Sequence, residues 1–427
     1  MKLLSVFLVG LTFLCPARAD DKPPARLTLA GASRQALARN PAIQEALSRW
    51  DAARERVIQE GAWDDLQVSA MSRLARFVAV PRNAFADQTI SLSQSLPISG
   101  RNAWRARAAA AESLMAYEDA RRSQLDVVAQ TRAAYYRLAN ARGQVELNRR
   151  NLALLEQIAD VSRVRYEAGS QGAADVLAAE TEAGKLLEAA RDLDKAVVAQ
   201  ETQLNILMGR DPFTPVGELD DETAQPVNLL SVENLRALTL ANRPEVRSAE
   251  HRLDAEKARL ELARRAWIPD PAITLEGQRY NGAGQGVSEV DAGISFNIPW
   301  TNAPKYSAAT REAAASVAAA EQALDASRRD ALGLLRNALE NVAAAQHHQH
   351  LSGETLLVQS RESLKASEIG YEAGKLSLIE WIAAARMVLD VESMRREEAG
   401  DYQVAIAELE AVVGAPLTSI SNTTQAQ

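Results

Sequence analysis

Aromatic side chains and cysteine are scarce in this chain of 427 residues, and basic residues are outnumbered by acidic ones. Aromatic residues make up 5% of it and there is one cysteine. That residue, Cys15, sits in the N-terminal apolar stretch. The rest of the chain can therefore form neither a disulfide framework nor a thiolate metal site. Acidic residues exceed basic ones, 56 to 48, for a net charge of −8. This argues against a nucleic-acid partner, which would demand a basic patch or stripe. After residue 19 no apolar run approaches the ~20 residues of a membrane-spanning helix. A Gly-Lys-Ser phosphate loop, a His-Glu-x-x-His zinc motif and a Gly-x-Ser-x-Gly elbow are also missing. Carboxylates are plentiful but scattered over helical surfaces, so no catalytic residue and no cofactor is expected. Alanine is abundant instead, in runs such as 108–111 and 313–315. Few bulky side chains and much alanine specify narrow, closely packed helices in an elongated, mainly α protein.

The first residues read as a secretory signal peptide over 1–19. Lys2 supplies the positive region, 3–14 the apolar run, and Ala17-Arg18-Ala19 the small-x-small cleavage site. Leu14 precedes Cys15 where a lipoprotein signal wants a small residue, so lipidation is not expected.

Two stretches interrupt the helical pattern in the same way. Arg165-Tyr166-Glu167-Ala168-Gly169 is matched by Gly370-Tyr371-Glu372-Ala373-Gly374, the two tyrosines lying 205 residues apart. The offset persists, since Asp175 matches Glu380 and Met208-Gly209 matches Val413-Gly414. A constant offset over a whole segment marks an internal duplication. In each copy a glycine ends the ascending helix, and an acid six positions later opens the descending one, where its charge suits the helix dipole. Each copy thus reads as the tip of a long helical hairpin.

Earlier landmarks repeat as well. Ala-Arg-Asn-Pro41 has its counterpart in Ala-Asn-Arg-Pro244, and Ala62-Trp63 in Ala266-Trp267. The expected organisation is a first repeat over 20–210, a linker over 211–229, a second repeat over 230–416 and a tail over 417–427. A helix is expected over 33–61, with Asn40 before Pro41 disfavouring helix at that point. Long hairpins are expected over 103–208 and 305–413. The first ascending arm, 103–168, would reach roughly 100 Å. Its descending partner carries a heptad seam in Ala183, Leu186, Ala190, Leu193, Val197, Gln200, Leu204 and Leu207.

Between the helical arms the period changes to two. Residues 89–96 and 290–298 alternate apolar with small or polar residues, and weaker strands precede them at 66–78 and 272–280. Strands of this length with one apolar face suit an outer-membrane barrel. Four cannot close one, and an open edge is not tolerated in lipid. Two chains would give eight strands and a filled barrel, whereas three give twelve and a lumen. A homotrimer is expected.

Signal peptide, duplicated helix–hairpin–helix units and the tip pattern Tyr-x-x-Gly-x-x-Ser-x-x-acidic together resemble the TolC-like outer-membrane factors. Tyr371, Gly374, Ser377 and Glu380 fit the pattern. Tyr166, Gly169 and Asp175 fit too, with Gly172 where serine is expected. The turn Leu96-Pro97-Ile98-Ser99-Gly100-Arg101 and the second tip are similar to the heavy-metal efflux (CzcC-like) branch. The resemblance implies a trimeric duct, with a 12-stranded β-barrel in the outer membrane and an α-barrel in the periplasm. It implies tips that dock a periplasmic adaptor (membrane fusion) protein joined to an inner-membrane pump of the RND type, and heavy-metal cations as cargo. A multidrug or type I secretion factor is the alternative within the family; a periplasmic adaptor or a coiled-coil structural protein is the alternative outside it. Asp175 and Glu380, present three times, would ring the periplasmic mouth with carboxylates and favour cations. His347 and His350 share a helix face and are candidates for a bridging metal. With no Cys/His zinc spacing, the reading is a solvated patch and no metal site.

Overall fold

The computed structural model describes residues 26–75, 77–170, 172–220, 229–282, 284, 286–415 and 417. The signal peptide read at 1–19, residues 221–228 of the expected linker and 418–427 of the tail lie outside the described residues.

Each repeat begins with two helices, not the one expected over 33–61. Helices α1 (Leu29–Arg39) and α2 (Pro41–Gly61) break at Asn40, which is extended and caps α2 through its side chain, 2.9 Å from the Ala42 N–H. Pro41 accounts for the break: it removes a donor and pushes the preceding residue out of helical space. The second repeat does the same with α5 (Val232–Asn242) and α6 (Pro244–Arg265) around Arg243. Both junctions seize the end of a later helix. Asn40 Nδ2 donates to the Leu207 carbonyl at 2.9 Å, and Arg243 Nη1 to the Val412 carbonyl at 3.0 Å. The glycines just beyond those carbonyls, Gly209 (φ +65°) and Gly414 (φ +76°), are left-handed and back onto the carbonyls of Arg39 and Asn242.

The ascending helix of the first repeat, α3 (Arg101–Glu167), is continuous over 67 residues, roughly 100 Å at 1.5 Å per residue. Gly143 sits inside it without breaking it. Its descending partner is α4 (Ala173–Leu207). In the second repeat the ascending arm is not uniform. Helix α7 (Ala303–His350) passes through a π-helical turn at Leu351–Leu356 before α8 (Leu357–Glu372), and α9 (Leu378–Val413) descends. Helix α9 packs on α3 as well as on α7 and α8, which joins the two hairpins side by side.

The expected linker holds structure. Strand β4 (Glu218–Leu219) pairs in parallel with β1 (Arg26–Leu27). Tyr135 Oη of α3 lies 2.9 Å from the carbonyls of both Leu27 and Asp220. Leu417, assigned to the tail by sequence, is buried in a cluster with Leu235, Leu335, Ile406 and Val413. The core is accordingly a chain of separate clusters along the hairpins.

Strands β2 (Gln67–Ser72), β3 (Ala86–Ser95), β5 (Ala272–Tyr280) and β6 (Glu289–Ser295) form one antiparallel sheet in the order β2-β3-β5-β6. The register lines up Val68, Leu92, Leu275 and Ala292 across the sheet, and Ala70, Ile90, Gly277 and Val290 in the next apolar row. The opposite face is hydrogen-bonded and polar, with Ser69–Ser91 at 2.8 Å, Thr274–Ser93 at 3.2 Å and Gln278–Asp291 at 3.2 Å. Among the described residues nothing covers the apolar face: Val68, Ile90, Leu275, Val290 and Ile294 are exposed. Strands β2 and β6 are its two open edges. The pairings end at Ser295, so 296–298, expected to extend the last strand, stand outside the ladder.

Candidate functional site at the paired hairpin tips

Both ascending helices end in the same hydrogen-bonded turn. At the first tip the Gly169 N–H donates to the Tyr166 carbonyl (2.9 Å) and the Ser170 N–H to the Arg165 carbonyl (3.0 Å). At the second, Gly374 donates to Tyr371 (3.0 Å) and Lys375 to Gly370 (2.8 Å). These two bonds define a Schellman cap, which needs a left-handed residue at its centre. Gly169 (φ +72°) and Gly374 (φ +68°) supply it. A Cβ at either would meet no atom within 4 Å, so backbone conformation alone, and not crowding, requires glycine there.

The descending helices start differently. Ser377 accepts from the Glu380 N–H at 3.4 Å, while Glu380 Oε2 accepts from the Ser377 N–H at 2.7 Å and from its hydroxyl at 2.8 Å. This is a complete capping box. The Ser377 backbone N–H and then its hydroxyl hold the Glu380 carboxyl below the usual carboxylate range. In the first repeat Gly172 takes the place of serine and offers no cap. The Asp175 N–H donates to the Gly172 carbonyl at 3.2 Å, but its carboxylate has no hydrogen-bonding or ionic partner among the described residues. One acid of the pair is therefore committed to its helix N-terminus and the other is free.

The tyrosines divide in the same way. Tyr166 is 48% exposed and Tyr371 is 4% exposed. Tyr371 stacks on Trp381 (ring centroids 5.0 Å apart, planes at 28°) within a cluster that includes Leu155, Ile158, Ala179, Leu378 and Ile382. Arg165 closes the cluster from the other hairpin. Its guanidinium lies 4.2 Å from the centre of the Tyr371 ring and donates to the Tyr371 carbonyl at 3.2 Å. Sequence reasoning missed Arg165 and Trp381. The signal for both was asymmetry: at the duplicated positions stand Gly370 and Val176. Gly370 has its own constraint, because a Cβ there would lie 2.6 Å from the Leu376 side chain.

His347, His348 and His350 lie on α7 at the π-helical turn, all exposed. His350 Nδ1 is 3.2 Å from Glu354 Oε1, and the rings of His347 and His348 meet edge to face at 6.0 Å. Among the described residues no three His, Cys, Asp or Glu side chains are grouped to hold a metal ion.

Comparison with known proteins agrees with this architecture. The chain is 32% identical over 228 residues to the toluene efflux pump outer membrane protein TtgF of Pseudomonas putida, covering 52% of this chain and 46% of that one. The nickel-cobalt-cadmium resistance protein NccC of Alcaligenes xylosoxydans xylosoxydans is 26% identical over 358 residues, covering 80% of this chain and 76% of that one. The chain spans about half the length of the Pseudomonas putida relatives it matches. The solved structure of the outer membrane protein VceC from Vibrio cholerae superposes with a TM-score of 0.75 at 18% identity, over 91% of this chain and 96% of that one, a likeness of fold. The model of the outer membrane efflux protein family matches twice, at 32–210 and 235–415, once for each repeat. With both halves matched and the long hairpins in place, the chain belongs to the outer membrane efflux protein family, the TolC-like group.

Proposed function

We propose that three copies of this chain form the outer-membrane duct of a tripartite efflux system and that it conducts heavy-metal cations. The observation that carries the duct is the four-stranded sheet. It has an uncovered apolar face, a hydrogen-bonded polar face and two open edges, and it sits at the end of helices roughly 100 Å long. Lipid covers such a face, and neighbouring copies satisfy the edges. Three copies give a closed barrel of twelve strands, polar side inward. The long hairpins then cross the periplasm, and their tips meet a periplasmic adaptor bound to an inner-membrane pump of the RND type. Tyr166, Gly169, Asp175, Tyr371, Gly374, Ser377 and Glu380 are the docking tip, with the exposed Leu177 and Ile379 beside it. The duct's role is to conduct and to gate.

The metal cargo is supported by NccC, whose match extends over most of both chains. A second reading, export of organic solvents, is favoured by the higher identity to TtgF over a shorter span. A deletion strain separates them. Sensitivity to nickel, cobalt, cadmium, zinc or copper alone supports the metal reading, and sensitivity to toluene, dyes and detergents alone replaces it. Detergent extraction followed by light scattering tests the duct itself. A particle of three chains is expected, and a soluble monomer from the periplasmic fraction would refute it.

A further inference from the structure

A groove of about 470 Å³ opens between α3, α8 and α9, well away from the tips. Four arginines line it, Arg150, Arg361, Arg395 and Arg396, against one glutamate, Glu392. Glu392 is taken by Arg361 at 2.6 Å. Arg150, Arg395 and Arg396 have no carboxylate partner among the described residues. Three uncompensated guanidinium groups facing one cavity are unexpected in a chain of net charge −8, where most arginines on these helices are paired.

The backbone is shaped to bring them together. A Cβ at Gly143 would lie 1.7 Å from Arg396 Nε, so only glycine lets that side chain lie across α3. Glycine inside a helix of 67 residues is otherwise a liability, since alanine is the better helix former. Gly353 in the π-helical turn lies beside Arg395, with Nε 3.7 Å from where a Cβ would be, an ordinary contact that an alanine would also allow. Two buried polar atoms in the same lining have no hydrogen-bond partner, Gln403 Nε2 and Asn140 Oδ1. Gln403 is 9% exposed, and its unpartnered N–H is a buried donor in the wall of the groove.

We propose that this groove is a binding site for a small multivalent oxyanion, a polycarboxylate or a phosphate compound. Guanidinium forks match the paired oxygens of carboxylate and phosphate, and the fixed amide of Gln403 supplies a further donor. The volume suits an organic anion, since ligand sites start at about 300 Å³. The site rests on the groove's own residues and does not depend on the duct reading or on its cargo.

The test is titration calorimetry of the full-length protein in a non-ionic detergent at low salt, with citrate, pyrophosphate and acetate as probes. Saturable binding of citrate or of pyrophosphate, with acetate at least tenfold weaker, is expected, and which of the two binds identifies carboxylate or phosphate as the source. Arg395→Gln and Gln403→Leu should each weaken that binding about tenfold or more. Gly143→Ala should weaken it while the helix is kept or improved, because the new methyl occupies the seat of Arg396. Arg149→Gln, outside the groove and on a residue paired with Glu146 at 3.2 Å, should bind as the parent does. Absence of binding by both polyanions, equal binding of acetate, or undiminished affinity in both Arg395→Gln and Gly143→Ala would overturn the proposal.

Discussion

Replacing Arg165 by alanine removes a side chain that ties the two tips together through Tyr371. Two interactions go with it. The guanidinium sits 4.2 Å from the ring centre, and such a cation–π contact, half-buried here, contributes about 1 kcal/mol. Its hydrogen bond to the Tyr371 carbonyl, at 3.2 Å, is long for a charged donor and contributes about 1 kcal/mol more. Together they favour the joined tips by about 2 kcal/mol, a factor of roughly 30 in the opening equilibrium. Hydrogen exchange reads that equilibrium directly for locally opening segments. In Arg165→Ala, amides at 160–168 and 369–376 should exchange about 10- to 50-fold faster, with the far ends of the hairpins unchanged. Arg165→Lys should fall between the two, since an ammonium keeps the charge but loses the planar stack. In a double-mutant cycle with Tyr371→Leu, the coupling energy should be about 1 kcal/mol, the cation–π share, because the carbonyl that accepts from Arg165 is kept. Exchange at both tips within twofold of the parent, or strict additivity in the cycle, would refute the idea that Arg165 joins the hairpins.

Glycine positions give a second set of outcomes. Gly169→Ala meets no neighbour and should cost only the left-handed penalty of about 1 kcal/mol. Gly209→Ala adds a Cβ 2.5 Å from the Arg39 carbonyl, so its cost should reach about 2–4 kcal/mol, visible as a larger fall in melting temperature. Because Glu380 has a lowered pKa in the folded tip, its capping contribution is present above the ordinary carboxylate pKa and is lost as pH falls through the folded value. Amides at 378–381 should therefore lose protection on acidification below about pH 4. Glu380→Gln should remove that pH dependence. If Asp175 and Glu380 act as a ring, Asp175→Asn with Glu380→Gln should lower cation over anion permeability in planar bilayers. Asp175→Asn alone should account for the larger share, because its carboxylate has no partner among the described residues while that of Glu380 is held by Ser377. Unchanged reversal potentials would remove the ring from the mechanism.

What could be read from the sequence, and what could not, divides along a physical line. Features set by the local chain were legible. Left-handed glycines at 169, 374, 209 and 414, the capping pair Ser377 and Glu380, and the alternation in β3 and β6 depend on a few consecutive residues. The break at Asn40 was half legible, because proline forbids helix before it but does not say whether the chain resumes straight or turns. Features set by pairing between distant segments were not legible. The clamp of Arg165 on Tyr371, the short sheet of β1 with β4, and the burial of Leu417 each join residues far apart in the chain. The duplication itself hid some of this. Reading two copies as one motif treats equivalent positions as alike, yet the side chains that differ are the ones that join the copies. Tyr371 is buried because Trp381 and Arg165 enclose it, whereas Val176 and Gly370 hold the duplicated places of those two residues. Copies that meet asymmetrically use a given position in one repeat and leave its counterpart unused, so the two are free to diverge. The positions at which a duplicated sequence departs from itself are therefore where the contacts between its halves should be sought first. Gly143 follows the same logic at the arginine groove, where it makes room for Arg396 of α9.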